Sequence, residues 1–224
     1  EEKAAAAEEL PVIKAETPDE VLCVCIGEVC TTMEQVTRIY NRTLVAVFKE
    51  NRKVLKEMVQ SSNRLFEEAR DRKYGIMPTL RRLQQCDIDT GHFYVQVVDY
   101  LKALIHITRP TFGHIDNNHE GLSKEQIVDL MRVNDQVEAI FDKINDMLRT
   151  KDFSDLDMVL EMRDKLFDTI VEAIKNQLRR INGDPAASTR ASVLYLTILN
   201  ETKTMILQAR NLLKSQHYFL ESRK

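Results

Sequence analysis

Tryptophan is absent from this 224-residue chain, glycine occurs six times and proline five times. So few turn formers argue against many short strands and for long helices, and abundant Leu, Glu, Lys, Arg and Met agree. No segment approaches the roughly 18 consecutive apolar residues of a membrane span, so this segment is not expected to insert into a bilayer. The opening Glu1-Glu2-Lys3-Ala4 resembles neither a signal peptide nor an initiator methionine, and suggests a piece of something longer. Neither sign of charge dominates: 32 basic against 35 acidic residues leave a net charge of −3 and a pI near 6.0. Without a global positive field, nucleic acid is not an expected partner.

Catalytic and nucleotide signatures are missing too. No glycine-rich phosphate loop occurs, no nucleophile elbow, and no paired Glu-x-x-His of the kind that holds di-iron in a bundle. The chain reads as a non-enzyme. Cys23, Cys25, Cys30 and Cys86 form no CxxC pair, and two residues apart on a helix point to different sides. They suit a reducing compartment as small apolar fillers, which favours the cytosol.

What is present is a repeat. Tyr94 to Ile105 lies over Tyr195 to Ile206 at an offset of 101, with apolar residues matched at most core-type positions. The same offset pairs Arg64-Leu65-Phe66-Glu67 with Lys165-Leu166-Phe167-Asp168, whereas Leu80-Arg81-Arg82-Leu83 meets Leu178-Arg179-Arg180-Ile181 at 98. A unit this long is a small helical bundle used twice, with related surfaces facing each other. With 43% hydrophobic residues a real core is available. The fold class is therefore all-α, two tandem three-helix bundles related by a pseudo-twofold: residues 1–16 as lead-in, 17–121 as the first repeat and 122–224 as the second.

Six helices follow from the patterning. Thr17-Pro18-Asp19-Glu20 is a helix start, with a capping residue, proline at the first position and Glu20 closing a capping box. The apolar stripe from Val21 through Tyr40, Leu44 and Val47 to Leu55 and Met58 predicts one helix of roughly 40 residues. A second is expected from Ser62 to Cys86, bent at Gly75 and Pro78, and a third from Thr90 to Arg109-Pro110. Asn117 to Gly121 reads as the loop between repeats, and Ser123-Lys124-Glu125-Gln126 as a capping box opening a fourth helix to Arg149. The fifth starts at Asp152 to Asp155 and ends at Asn182-Gly183. The sixth is capped by Asp184-Pro185 or Ser188 and runs to about Phe219.

Two groups of side chains are candidates for chemistry. Glu67 and Asp71 match Asp168 and Glu172 across the repeat, each pair one helical turn apart, and Asp164 extends the second stripe. Together with Glu201 these carboxylates would suit a hard divalent metal; a solvated face paired with neighbouring arginines and lysines is the plainer reading. His106, His114, Asp116 and His119 gather around the first repeat's exit loop, where they could hold a transition metal, respond to pH, or serve as loop and partner contacts.

The run Asp99-Tyr100-Leu101-Lys102-Ala103-Leu104 through Arg109-Pro110, then His114 to Ser123, resembles the cytosolic C-terminal region of bacterial sodium/phosphate cotransporters. The tandem three-helix layout is similar to that of PhoU, a phosphate-signalling family built from two such bundles. The resemblance covers roughly residues 17–220 and implies a regulatory domain on the cytoplasmic side of the inner membrane. Its partner would be a membrane transporter part of the same polypeptide, lying before Glu1, and a homodimer is a further possibility it leaves open. PhoU proteins carry an acidic E/D-x-x-x-D motif in the third helix of each repeat that binds clustered metal ions. The matching positions here are Gln96 and Tyr100, then Thr197 and Glu201, so only Glu201 keeps a carboxylate and the metal function is not expected to carry over.

Overall fold

The structure, a computed structural model, describes residues 18–82, 87–184 and 189–221. They form six helices in chain order: α1 (Pro18–Phe48), α2 (Arg52–Arg82), α3 (Asp87–Asp116), α4 (Lys124–Thr150), α5 (Leu156–Gly183) and α6 (Thr189–Glu221). No strand occurs among the described residues.

The long first helix expected from the apolar stripe is two helices. α1 stops at Phe48, Glu50 takes a left-handed φ of 51°, and Asn51 caps α2 by accepting from Val54 N at 3.2 Å. Leu55 and Met58 therefore open α2. The stripe ran on because residues on both sides of the turn face the same core, and neither glycine nor proline marks the break. α2 is helical through Gly75 and Pro78 to Arg82, while Cys86 lies outside the described residues, as does Thr17, the expected cap of α1. α3 starts three residues earlier than expected and continues past Pro110 to Asp116. Proline there removes one donor without ending the helix.

α4 begins where the capping box put it: Ser123 Oγ accepts from Gln126 N at 3.2 Å and the Gln126 side chain accepts from Ser123 N at 2.9 Å. α5 starts at Leu156 with Asp155 at the cap, and Gly183 is its last helical residue. Residues 185–188, which contain two of the expected caps of α6, lie outside the description.

α2 packs on α1 and α3, and α5 on α4 and α6; the halves meet through α1 against α4 and, most extensively, α3 against α6. Of the three helix pairs matched by the repeat, α1/α4 and α3/α6 pack on each other across a twofold-like axis, while α2 and α5 lie on opposite flanks. Burial follows the same offset of 101: Val29/Leu130, Val36/Val137, Tyr40/Phe141 and Val47/Leu148 on α1 and α4, with Leu101/Thr202, Leu104/Met205 and Ile105/Ile206 on α3 and α6, are buried pair by pair. One hydrophobic cluster draws on all six helices. Each fully buried leucine in it, such as Leu44, Leu104 and Leu166, contributes about 1.5–3 kcal/mol.

Candidate functional site

The six candidate metal carboxylates do not converge. Glu67 and Asp71 lie on α2, Asp164, Asp168 and Glu172 on α5, and these two helices occupy opposite flanks. All five side chains are exposed, as the outward face of an amphipathic flank helix requires. Three of them have basic partners: Arg70 Nε lies 3.5 Å from Asp71, Arg163 Nη2 2.6 Å from Asp164 and Arg179 Nη1 3.6 Å from Glu172. Among the described residues no three His, Cys, Asp or Glu side chains come together as a cation cage.

The histidine group is only partly brought together. His114, at the buried end of α3, holds the carbonyl of Glu120 at 2.7 Å through Nε2, so it donates and closes the loop that leads to α4. Its ring meets His119 edge-on at 5.3 Å between centroids. Arg190 of α6 contacts the His119 ring nitrogens at 2.6 and 3.1 Å; burial first, then the charges of Arg190 and His114, hold the His119 pKa below its usual value. Asp116 pairs instead with Arg52 at the start of α2. His106 stands apart on α3 and reaches Glu201 of α6 at 3.5 Å, joining one member of each candidate group. These contacts tie helix ends and neighbouring helices together.

A polar cluster in the second half was not foreseen. Asp129 Oδ2 accepts from Arg180 Nη2 at 2.7 Å and from Tyr195 OH at 2.8 Å, joining α4, α5 and α6. Arg180 also donates to Gln177 Oε1 at 3.1 Å, which accepts from Gln126 at 3.2 Å, while Gln177 Nε2 donates to Ser192 at 2.9 Å. Burial works against the charge on Arg180, yet the hydrogen bond and charge of Asp129 outweigh it and raise its pKa. Burial, then Asp129, push Tyr195 well above the ordinary phenol value. Gln126, Gln177, Arg180 and Ser192 of this cluster line a cleft of about 800 Å³ that Glu50, Glu120, Glu125 and Asp184, all exposed, also line. Its residues sit on three helices far apart in sequence, so no local pattern joins them.

The positions where the family resemblance expects metal-binding acids are a poor fit to a cation. The Tyr100 side chain is fully buried, its ring 6.0 Å from that of Phe141 in an edge-to-face pair, and its hydroxyl has no hydrogen-bond partner. The Gln96 side chain lies outside the described residues, Thr197 is half-buried, and Glu201 is engaged by His106. One carboxylate among neutral groups cannot offset the cost of gathering dications.

No model of a known protein family matches the chain, and no curated protein does. Among solved structures, the phosphate transport system regulatory protein PhoU from Streptococcus pneumoniae superposes with a TM-score of 0.67 over 92% of this chain and 97% of that one, at 12% sequence identity. The fold is PhoU-like. Both chains are covered almost end to end, so the likeness concerns the whole six-helix arrangement and not one shared hairpin. At this identity it speaks to architecture alone, and the PhoU-like frame here carries an aromatic core residue, Tyr100, at a position where the resemblance expects an acid.

Proposed function

We propose that the chain is the regulatory, non-catalytic PhoU-like domain of a sodium-dependent phosphate cotransporter, acting on the cytoplasmic side of the inner membrane to modulate phosphate uptake by a membrane part of the same polypeptide. The observation that carries this reading is the near-complete superposition on a protein described as a phosphate transport system regulator. Two features support it. The run from Asp99 to Ser123 resembles cotransporter C-terminal regions, and within it His114 bonds the Glu120 carbonyl while Ser123 caps α4. Among the described residues no helix is long and apolar enough to cross a membrane, and the reading assigns transport itself to another part of the polypeptide. Regulation then requires that some ligand or partner favour one arrangement of this bundle over another. α1 is the natural conduit, since it enters the core shared by both halves.

The test is sodium-dependent uptake of radiolabelled phosphate in cells carrying the full gene or a version lacking residues 18–221. Loss of the domain should change the response of uptake to external phosphate while leaving sodium dependence intact. A full reading frame without membrane spans, or identical uptake curves, would refute the reading.

A further inference from the structure

Arg38 and Arg42, one helical turn apart on α1, and Arg64 on α2 line one groove of about 310 Å³. Its base is apolar, formed by the buried Ile39, Met58 and Leu65, and Gln35 and Ser61 add neutral hydrogen-bonding groups at its wall. One carboxylate, Glu68, also lines the groove, and the acids engage these arginines only loosely: Arg42 and Glu57 are 3.8 Å apart, Arg64 and Glu68 3.9 Å. Among the described residues Arg38 has no acidic partner within ion-pair distance. Three guanidinium groups are thus held around a space with their donors largely unspent.

The second half supplies an internal control. At the offset of 101, Arg38 becomes Ala139, Arg42 becomes Lys143, Ser61 becomes Met162 and Arg64 becomes Lys165. There Gln136, the counterpart of Gln35, donates to Thr169, the counterpart of Glu68, at 3.1 Å, and Lys143 is tied to Asp155. The hollow on that side carries Glu34, Asp142 and Asp146 against Lys143 and Arg149, so acids outnumber bases. Bases therefore outnumber acids in the hollow of the first copy, and acids outnumber bases in that of the second. A generic solvated face would not separate the copies in this way.

We propose that the α1–α2 groove binds a tetrahedral dianionic oxyanion, either free orthophosphate or the phosphate of a small phosphomonoester. Guanidinium forks match such oxygens in geometry as well as charge. The volume sits at the lower end of small-ligand sites, with room for a short organic group over the apolar base. The site stands on the groove alone and does not depend on the transporter reading.

Isothermal titration with inorganic phosphate, and separately with glucose 6-phosphate, at ionic strength held constant with sodium chloride, tests it. Saturable binding of at least one is expected, and the tighter of the two identifies the source of the phosphate group. Arg38→Gln and Arg42→Gln should each weaken it by about tenfold or more, in line with loss of a charge-assisted hydrogen bond. The triple variant with Arg64→Gln should bind neither ligand while keeping the wild-type helical circular dichroism, since all three side chains are exposed. Lys165→Gln, the counterpart of the Arg64 change, should bind as wild type. No saturable heat with either ligand, undiminished binding by the triple variant, or equal loss in Lys165→Gln would overturn the proposal.

Discussion

Tyr40 and Thr202, 162 positions apart, are joined by a buried hydrogen bond of 2.9 Å between their hydroxyls, which links α1 of the first half to α6 of the second. Thr202 already donates its hydrogen to the Ile198 carbonyl at 2.7 Å, so Tyr40 is the donor. The two deletions of this bond should not cost the same. Thr202→Val leaves the Tyr40 hydroxyl buried with nothing to accept its hydrogen, an unsatisfied donor worth about 1–3 kcal/mol. Tyr40→Phe leaves Thr202 still bonded to Ile198 and should cost only about 0.5–1.5 kcal/mol. Urea unfolding of the two variants and of the double mutant checks this; a double mutant no less stable than Thr202→Val alone is expected, because the orphaned donor is then gone.

Tyr100 is the converse case. Its hydroxyl is buried against the α4 aromatic Phe141 without a partner, so it carries a desolvation cost that nothing offsets. Tyr100→Phe keeps the ring and its edge-to-face packing and should stabilise the protein by about 1 kcal/mol. A midpoint in urea lower than that of the wild type would show that the hydroxyl is satisfied in solution.

The apolar period carries the six-helix content and the duplication, and the Ser123-to-Gln126 spacing carries the capping box, because all three are local or translational patterns. The turn after Phe48 was hidden, since its left-handed residue is Glu50 and its flanks keep the same apolar phase. Pro110 is the opposite case, a helix stop in the sequence pattern that the burial of Ile107 and Thr111 on either side overrides. The acidic stripes were correctly located on helix faces, but periodicity says nothing of which faces meet, and α2 and α5 are on opposite flanks. The same blindness concealed the Asp129, Arg180 and Tyr195 cluster, whose members only the packing of three helices assembles.

Stability at alkaline pH should report on the three core tyrosines. Burial raises the pKa of Tyr40, Tyr100 and Tyr195 above the ordinary value near 10. The folded state therefore keeps its phenol protons after the unfolded chain has begun to lose them. Their contribution is fully present below about pH 10 and falls away as pH rises beyond it, by up to about 1.4 kcal/mol per pH unit for each tyrosine. Unfolding free energies measured between pH 9 and 11 should decline less steeply in Tyr40→Phe than in wild type, and less again when Tyr195→Phe is added. Equal slopes in all three proteins would place the alkaline loss in other groups.

Divalent metal should leave the folding equilibrium almost untouched. A cation that binds only the folded state stabilises it by mass action, by about 2.7 kcal/mol at a hundredfold excess over its dissociation constant, which for a chain of this size is a rise of roughly 5–10 °C in melting temperature. The structure offers no place for such binding among the described residues: Glu67 and Asp71 are separated from Asp164, Asp168 and Glu172 by the body of the bundle, Tyr100 fills one motif position with an aromatic ring, and Glu201 faces His106. Melting curves with millimolar manganese, magnesium or ferrous iron against chelator should therefore differ by less than about 1 °C, and Glu201→Gln should not alter that difference. A saturable rise of several degrees that Glu201→Gln removes would establish a metal centre and favour a metal-dependent signalling bundle.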